Sequence, residues 1–142
     1  MRFAGYAAVF DRPDQSGDIV RPGAFARAVA RGGRAVPLLW QHAPDKPVGR
    51  IEVLAEDARG LRVIGRLSLR SQLAREAAAL VAEGAVSGLS FGYRVRAAQG
   101  VEGARELTDL DLVEVSLVTM PMQPLARVHA IDGRDDFQKE GG

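Results

Sequence analysis

The stretch LVEVSLV, residues 112–118, is apolar on both of the faces that a strand would present. We therefore expect Glu114, in the middle of this stretch, to be substantially buried. An unpaired buried carboxylate is destabilising by several kcal/mol or takes up a proton. From residue types alone, its partner is either an arginine, such as Arg94 or Arg96, or the imidazole of His42.

Two further strand-like segments each carry one polar residue of catalytic type in otherwise apolar surroundings. PLLWQH, residues 37–42, ends in His42, and GLSFGY, residues 88–93, contains Ser90. Buried polar groups need hydrogen-bond partners, and three of them in one small domain are most easily satisfied by one another. A serine, a histidine and a carboxylate together supply a nucleophile, a base and an orienting group. The residues therefore predict a serine hydrolase.

The serine of this set lies between two glycines. We expect Gly88 and Gly92 to clear side-chain bulk beside the Ser90 hydroxyl, so that a substrate backbone can approach. The alternative is a serine that merely fills a tight place in a strand. Ser87, in the loop that enters the strand, and Ser116, on the apolar strand, are rival nucleophiles.

The same segment, GLSFG at residues 88–92, also matches the five-residue nucleophile elbow of α/β-hydrolases, which would indicate a small esterase or lipase. That motif needs a strand before the serine and a helix after it. This sequence predicts the reverse order, with a helix and a loop before the serine and a strand after it. The match is better explained as a coincidence of small residues.

Metal and cofactor sites have little support in the sequence. His42 and His129 lie far apart, without a helical pair that would indicate zinc. The spacing of Asp11, Asp14 and Asp18 is not that of a calcium loop. No phosphate-binding loop or dinucleotide fingerprint is present. We expect neither a metal nor a cofactor.

Length, charge and composition exclude several other classes of protein. A length of 142 residues suits one domain with a single core. The net charge of +1 gives no electrostatic case for nucleic acid or an anionic membrane. The absence of cysteine excludes disulfides, thiolate metal sites and a cysteine nucleophile. No apolar run approaches the ~20 residues of a membrane span, and the start of the chain lacks the apolar region of a signal peptide. These features predict a cytoplasmic protein that contacts neither nucleic acid nor membrane.

The hydrophobic pattern predicts more strands than helices. Helices are expected over 23–31 and 71–83, and strands over 3–10, 36–41, 48–54, 61–69, 89–95, 105–110, 112–119 and 128–131, of which 105–119 could be one long bent strand. Residues 43–47 are expected to be a loop because of their two prolines, and residues 99–103 a turn. The fold class is α+β and mostly β, a mainly antiparallel, closed or nearly closed β structure flanked by helices. Residues 1–132 form the domain, and 133–142 a polar, flexible tail.

Several of these segments together resemble a known family. The segments are GYAAVF (5–10), GDIVRPGAF (17–25), LLWQH (38–42), PVG (47–49), GLSFGY (88–93) and LVEVSLV (112–118), followed by Pro121. In this order they resemble the tailed-phage prohead, or capsid maturation, proteases over nearly the whole chain. That family is similar to the herpesvirus assemblins, which are serine peptidases built on a β-barrel surrounded by helices. The resemblance thus implies an assemblin-like barrel.

The resemblance also implies roles for individual residues. Ser90 is the implied nucleophile, His42 the base and Glu114 the third member, at a position where assemblins use a second histidine. Arg94, on the same strand face as Ser90, is a candidate for stabilising the oxyanion or contacting substrate, directly or through water. One departure is Ala43, since the family often has aspartate directly after the histidine.

The implied function is that of a serine endopeptidase. It would process capsid or scaffold protein during head maturation of a phage or a phage-like particle, such as a prophage or gene transfer agent. The implied place is the assembling procapsid in the host cytoplasm, and the implied partner is the major capsid protein or a scaffold segment. Self-cleavage and a homodimer stay open. The alternative is a catalytically inactive assemblin-fold module that scaffolds capsid assembly.

Overall fold

The computed structural model describes residues 1–101 and 104–132, and this part of the chain contains eight strands and two α-helices. The strands are β1 (Arg2–Val9), β2 (Asp18–Val20), β3 (Pro37–Trp40), β4 (Ala43–Glu56), β5 (Gly60–Leu67), β6 (Gly88–Val101), β7 (Ala104–Val118) and β8 (Val128–Ile131). The helices are α1 (Ala26–Arg31) and α2 (Gln72–Ala82), and a short 3₁₀ helix covers Gly33–Ala35. The predicted tail, 133–142, lies outside the described residues.

The strands form one curled sheet in the order β2-β7-β3-β4-β5-β1-β8, with β6 paired to β7. All pairs are antiparallel except β2 with β7 and β3 with β7, which are parallel. The sheet closes on itself because Gly88 at the start of β6 bridges Arg127, just before β8. The main-chain N–H of Leu89 also donates to the carbonyl of Ala126 at 2.9 Å. The predicted mostly-β, mainly antiparallel barrel with flanking helices is confirmed.

The barrel interior is filled mostly by the apolar side chains that the sequence pattern assigned to strands, together with Phe25 from the predicted helix over 23–31. Completely buried members include Phe3, Phe25, Leu38, Ile51, Leu61, Leu89, Leu107, Leu110 and Leu117. Helix α2 packs against β4 and β5 and begins as predicted, because the Ser71 hydroxyl accepts a hydrogen bond from the N–H of Ala74 at 3.0 Å. It ends before Gly84, whose φ of 79° suits glycine.

Helix α1 is shorter than predicted. The expected helix over 23–31 begins at Ala26, because residues 22–25 form a turn in which Gly23 has a φ of 94°. The carboxylate of Glu56 on β4 accepts the N–H groups of Gly23 at 2.6 Å and Phe25 at 3.1 Å. A side chain from a neighbouring strand therefore satisfies backbone donors at this helix start, which no local pattern reveals.

The predicted loop over Ala43–Pro47 is wrong. Strand β4 already begins at Ala43, and it pairs with β3 through Trp40 opposite Ala43 and Leu39 opposite Pro47. The register is irregular between these two pairs, so residues 44–46 bulge out of the ladder. Proline, which has no N–H, is tolerated at such interruptions. The prolines therefore mark a bulge within a strand and not the end of one.

The structure also decides two predictions about the segment from 99 to 119. The expected turn over 99–103 is wrong for its first three residues, because Gln99, Gly100 and Val101 continue β6 and pair with the start of β7. Glu102 and Gly103, the rest of that predicted turn, lie outside the described residues. Strand β7 is continuous from Ala104 to Val118, so the long single strand, one of the two alternatives above, is the correct one.

Candidate active site

His42 lies in a two-residue turn that joins β3 to β4. Gln41 and His42 both have positive φ angles, 53° and 61°, in the left-handed region where side-chain-bearing residues are uncommon. Hydrogen bonds hold this turn against β7 and against Thr119, the residue that follows it. The N–H of Gln41 donates to Leu117 O at 2.9 Å, the N–H of Thr119 donates to Gln41 Oε1 at 3.1 Å, and the N–H of His42 donates to Ser116 Oγ at 3.1 Å. These contacts with β7 thus stabilise the left-handed backbone conformation of Gln41 and His42.

The carboxylate of Glu114 contacts this histidine directly. Oε1 of Glu114 lies 2.6 Å from Nδ1 of His42, and Oε2 accepts a hydrogen bond from Ser116 Oγ at 2.5 Å. Glu114 is 7% exposed, as its apolar neighbours predict. Because a carboxylate only accepts, Nδ1 must be the protonated nitrogen of the neutral imidazole, which leaves Nε2 as a hydrogen-bond acceptor.

Arginine does not pair with Glu114 in residues 1–101 and 104–132. Arg96 instead forms an ion pair with Asp111, at 3.0 Å between Nη1 and Oδ2. The residue types left two possible partners for Glu114, an arginine or His42. In the structure the partner is His42.

Ser90 is placed on the neighbouring strand, on the same side of the sheet. It lies opposite Ser116 in the antiparallel β6–β7 pair, and Gly92 lies opposite Glu114. Residues directly opposite share a face, as do residues two apart along a strand, so Ser90, Ser116 and Glu114 belong to one face. Ser90 is 4% exposed. Within the described chain, no hydrogen bond joins its hydroxyl to the imidazole of His42.

The hydrolase-elbow interpretation does not survive this placement. Ser90 lies within β6, in an antiparallel pair, and not on a turn from a strand to a helix. The esterase or lipase alternative therefore has no support in the fold.

The two glycines beside Ser90 make room for neighbouring protein atoms. A Cβ at Gly92 would lie 2.5 Å from Oε1 of Glu114, and a Cβ at Gly88 would lie 2.6 Å from Val118 O and 2.8 Å from the ring of Pro121. The space beside these glycines is thus occupied by the protein itself. Gly92 makes room for the Glu114 carboxylate and also lines the groove beside His42, so the approach of a substrate backbone to these glycines stays a prediction.

A groove with a volume of about 500 Å³ opens beside His42 and Glu114. Leu39, Tyr93 and Val113 supply much of its apolar wall. Val113 is the extra residue of a bulge in β7, since Gly92 pairs with Glu114 and Tyr93 with Leu112. The bulge leaves Val113 43% exposed beside the groove. The groove is thus lined largely by apolar side chains, with His42, Arg94 and Glu114 as its charged or polar groups.

Arg94 also lines the groove. Among the described residues it has no hydrogen bond or ion pair to a protein group, in contrast to Arg96 two residues further on. An exposed guanidinium without a protein partner is available to an anion or to a polarised carbonyl of a ligand.

Tyr93 is fixed by a partly buried polar network that the sequence did not reveal. Its hydroxyl donates to Asp18 Oδ2 at 3.0 Å, and Arg105 donates to both oxygens of Asp18, at 2.9 and 3.1 Å. Burial and the neighbouring Asp18 raise the pKa of Tyr93 to about 12. The hydrogen bonds from Arg105 hold the pKa of Asp18 below its usual range, against the opposing effect of burial. Tyr93 is therefore a neutral wall of the groove that Asp18 holds in position.

The other sequence candidates lie elsewhere or play another part. His129 on β8 stacks against Tyr6, with ring centroids 5.7 Å apart. Ser87 accepts a hydrogen bond from Arg127 at 3.1 Å. Ser116 is 0% exposed and bonded to Glu114, which gives it a part in the site that sequence reasoning missed. Its position two residues from Glu114 on one strand was the available signal.

The described residues also contain no group of three or more metal-ligating side chains placed to hold a metal ion. None of the helices in this part of the chain is long and apolar enough to cross a membrane.

Comparisons with solved structures show where this fold occurs. The KSHV protease, solved in complex with a hexapeptide phosphonate inhibitor, superposes with a TM-score of 0.60 at 15% identity, over 89% of this chain and 63% of that one. The varicella-zoster virus protease gives a TM-score of 0.56 at 15% identity, over 90% of this chain and 62% of that one. At such low identity these likenesses show the fold alone. The assemblin-like fold is thereby confirmed.

Comparisons of sequence give the family. The prohead protease of Enterobacteria phage HK97 is 34% identical over 140 residues, which are 96% of this chain and 62% of that protein. The capsid polyprotein of Pseudomonas phage PAJU2 is 28% identical over 136 residues, which are 89% of this chain and 20% of that protein. The chain thus spans less than two thirds of the length of either relative. The family described as caudovirus prohead serine protease matches residues 1–139. Because this match covers nearly the whole chain, the chain belongs to the caudovirus prohead serine protease family.

Proposed function

We propose that this protein is a serine endopeptidase in which Ser90 is the nucleophile, His42 the general base and Glu114 the group that orients the imidazole. The observation that carries the proposal is the 2.6 Å contact between His42 Nδ1 and Glu114 Oε1, on the face of the sheet to which Ser90 belongs. Membership of a serine protease family supports the same assignment.

The geometry supports a definite division of roles. With Nδ1 bonded to Glu114, Nε2 of His42 takes the proton of Ser90 as the hydroxyl attacks the scissile carbonyl, and later gives it to the leaving amine. The buried carboxylate stabilises the imidazolium formed in between. Arg94 is proposed to contact the developing oxyanion or the substrate, directly or through water, because it lines the groove without a protein partner among the described residues.

The proposed substrate is a capsid or scaffold protein, processed inside the assembling procapsid of a phage or phage-like particle in its host. The names of the HK97 prohead protease and of the PAJU2 capsid polyprotein support this choice. Self-cleavage and a homodimer belong to the same proposal. They are tested by the size of the purified chain over time and by its sedimentation at several concentrations.

Co-expression with the cognate capsid protein tests the assignment of the nucleophile. Ser90→Ala should abolish processing and labelling by a fluorophosphonate probe. Ser87→Ala is the matched control, since it removes a hydroxyl three residues away that bonds Arg127 and not the site. Undiminished processing by Ser90→Ala would overturn the assignment.

The alternative, an inactive assemblin-fold module that scaffolds assembly, draws on one observation: Ser90 is nearly buried and not bonded to His42 in the described chain. The two proposals differ in a particle-assembly assay. If the protein is a scaffolding module, the wild-type chain and the Ser90→Ala variant support assembly to the same extent, and the capsid protein stays uncut with either. The protease, in contrast, cuts the capsid protein only when the Ser90 hydroxyl is present.

A further inference from the structure

Ser116 is a completely buried polar residue whose hydroxyl joins two parts of the site. It donates its proton to Oε2 of Glu114 at 2.5 Å and accepts the main-chain N–H of His42 at 3.1 Å. One oxygen atom thus links the carboxylate to the turn that carries the imidazole. The paired strand places Ser90 directly opposite.

Each of these bonds satisfies a group that would otherwise be costly. Glu114 is nearly buried and uses Oε1 for His42, so its second oxygen depends on Ser116 for a donor. The N–H of His42 lies in a left-handed turn, where backbone strain persists only when the surroundings hold it. A hydroxyl is suited to both tasks because it donates one hydrogen bond while accepting another.

The same geometry argues against Ser116 as a nucleophile. Ser116 is 0% exposed, and its proton is directed to Glu114 and not to the imidazole. A nucleophilic hydroxyl has to reach the substrate and give its proton to the base. Ser116 does neither.

We propose that Ser116 is a positioning residue, which fixes the Glu114 carboxylate and the His42 main chain in register so that the imidazole is aimed at Ser90. This inference rests on the proposed function of Ser90, His42 and Glu114. It assigns Ser116 an effect on turnover through its neighbours, without contact with substrate.

The test is a series at one position: Ser116→Ala, Ser116→Cys and Ser116→Thr. Loss of the hydroxyl should lower kcat by about 10²-fold, the cost of misplacing a catalytic group by about 1 Å. KM should stay within about threefold, because Ser116 does not line the groove. Ser116→Thr keeps the hydroxyl and should recover most of the rate per folded molecule, while Ser116→Cys, a weak donor, should fall in between.

A spectroscopic measurement separates positioning from a general loss of stability. The His42 Nδ1 proton, which is short-bonded to Glu114, should give a downfield proton resonance that Ser116→Ala shifts or broadens and Ser116→Thr retains. Thr108→Val is the matched control, because it removes another hydroxyl of β7, bonded to Ala97 O at 3.1 Å. It should change neither kcat nor the resonance. If Ser116→Ala does not fold, the Thr and Cys variants still test whether the rate follows the hydrogen-bond strength of the group at this position.

The failure of this inference and that of the proposed function are distinguishable. If Ser116→Ala turns over as fast as the wild type with an unchanged His42 resonance, while Ser90→Ala is inactive, Ser116 is not a positioning residue and the proposed function stands. If Ser90→Ala keeps full activity, the proposed function fails, whatever the Ser116 series shows.

Discussion

Gly92→Ala adds one methyl group at the point where β6 faces the carboxylate of Glu114. The new Cβ would lie 2.5 Å from Oε1 of Glu114, whereas ordinary contacts begin at 3.4 Å. The carboxylate must therefore move by roughly 1 Å, and a displacement of that size away from the imidazole takes its 2.6 Å bond to His42 Nδ1 beyond the usual hydrogen-bond range. A misplacement of that size costs about 10²-fold in rate, or about 2.7 kcal/mol of transition-state stabilisation.

Peptide hydrolysis under single-turnover conditions, with melting followed in parallel, measures this effect. Gly100→Ala is the control on the same strand, because a Cβ there meets nothing within 4 Å. A double-mutant cycle sharpens the test: in a Glu114→Ala background the clash is gone, so adding Gly92→Ala should cost little more activity. The reasoning is refuted if Gly92→Ala cleaves as fast as Gly100→Ala, or if its penalty persists in full without the Glu114 side chain.

Three further predictions concern the scaffold. Ser71→Ala removes the N-cap of α2 and should lower the free energy of unfolding in urea by about 1 kcal/mol without changing the rate. Phe25→Ala removes a completely buried ring and should cost about 3–5 kcal/mol in the same assay. Asp18→Asn should destabilise at pH 7, and by progressively less as the pH falls below about 4. Because Arg105 holds the pKa of Asp18 below its usual range, the stabilisation is present above the unfolded pKa and is lost as pH falls through the folded one. Melting of both proteins at a series of pH values from 7 downwards measures that difference, and an equal loss at every pH would contradict it.

The strand pattern was predictable because it is set by local sequence. Alternating or continuous apolar runs locate most of the strands, and Ser71 with Gly84 bounds α2 within a residue or two. The start of β4 was not predictable, because the prolines at 44 and 47 look like loop residues until the bulge against β3 is known. Likewise, Glu56 reaches the start of α1 from a distant strand, and contacts of that kind leave no local signal.

The members of the candidate site could be proposed from sequence, but not their geometry. Burial predicted that Glu114 needs a partner, and the chain offered both arginine and histidine. The choice depends on the turn at Gln41 and His42, which bends the chain back onto β7 with positive φ angles that neither residue type indicates. Ser116 looked like a rival nucleophile, because sequence does not show which way a hydroxyl donates its proton.

Strand β7 determines whether this site can exist at all. It carries Glu114 and Ser116 on one face, while Val115 and Leu117 on the other are completely buried in the core. A register slip of one residue would exchange the two faces. The slip would take Val115 and Leu117 out of the packed core, where burial of each contributes roughly 1.5–3 kcal/mol, and would place a carboxylate in the barrel interior, where it is costlier still. The core thus holds the register that brings Glu114 to His42. The same register sets Ser116 opposite Ser90. The apolar stretch 112–118, interrupted by Glu114 and Ser116, therefore determines both the register of β7 and the position of the proposed active site.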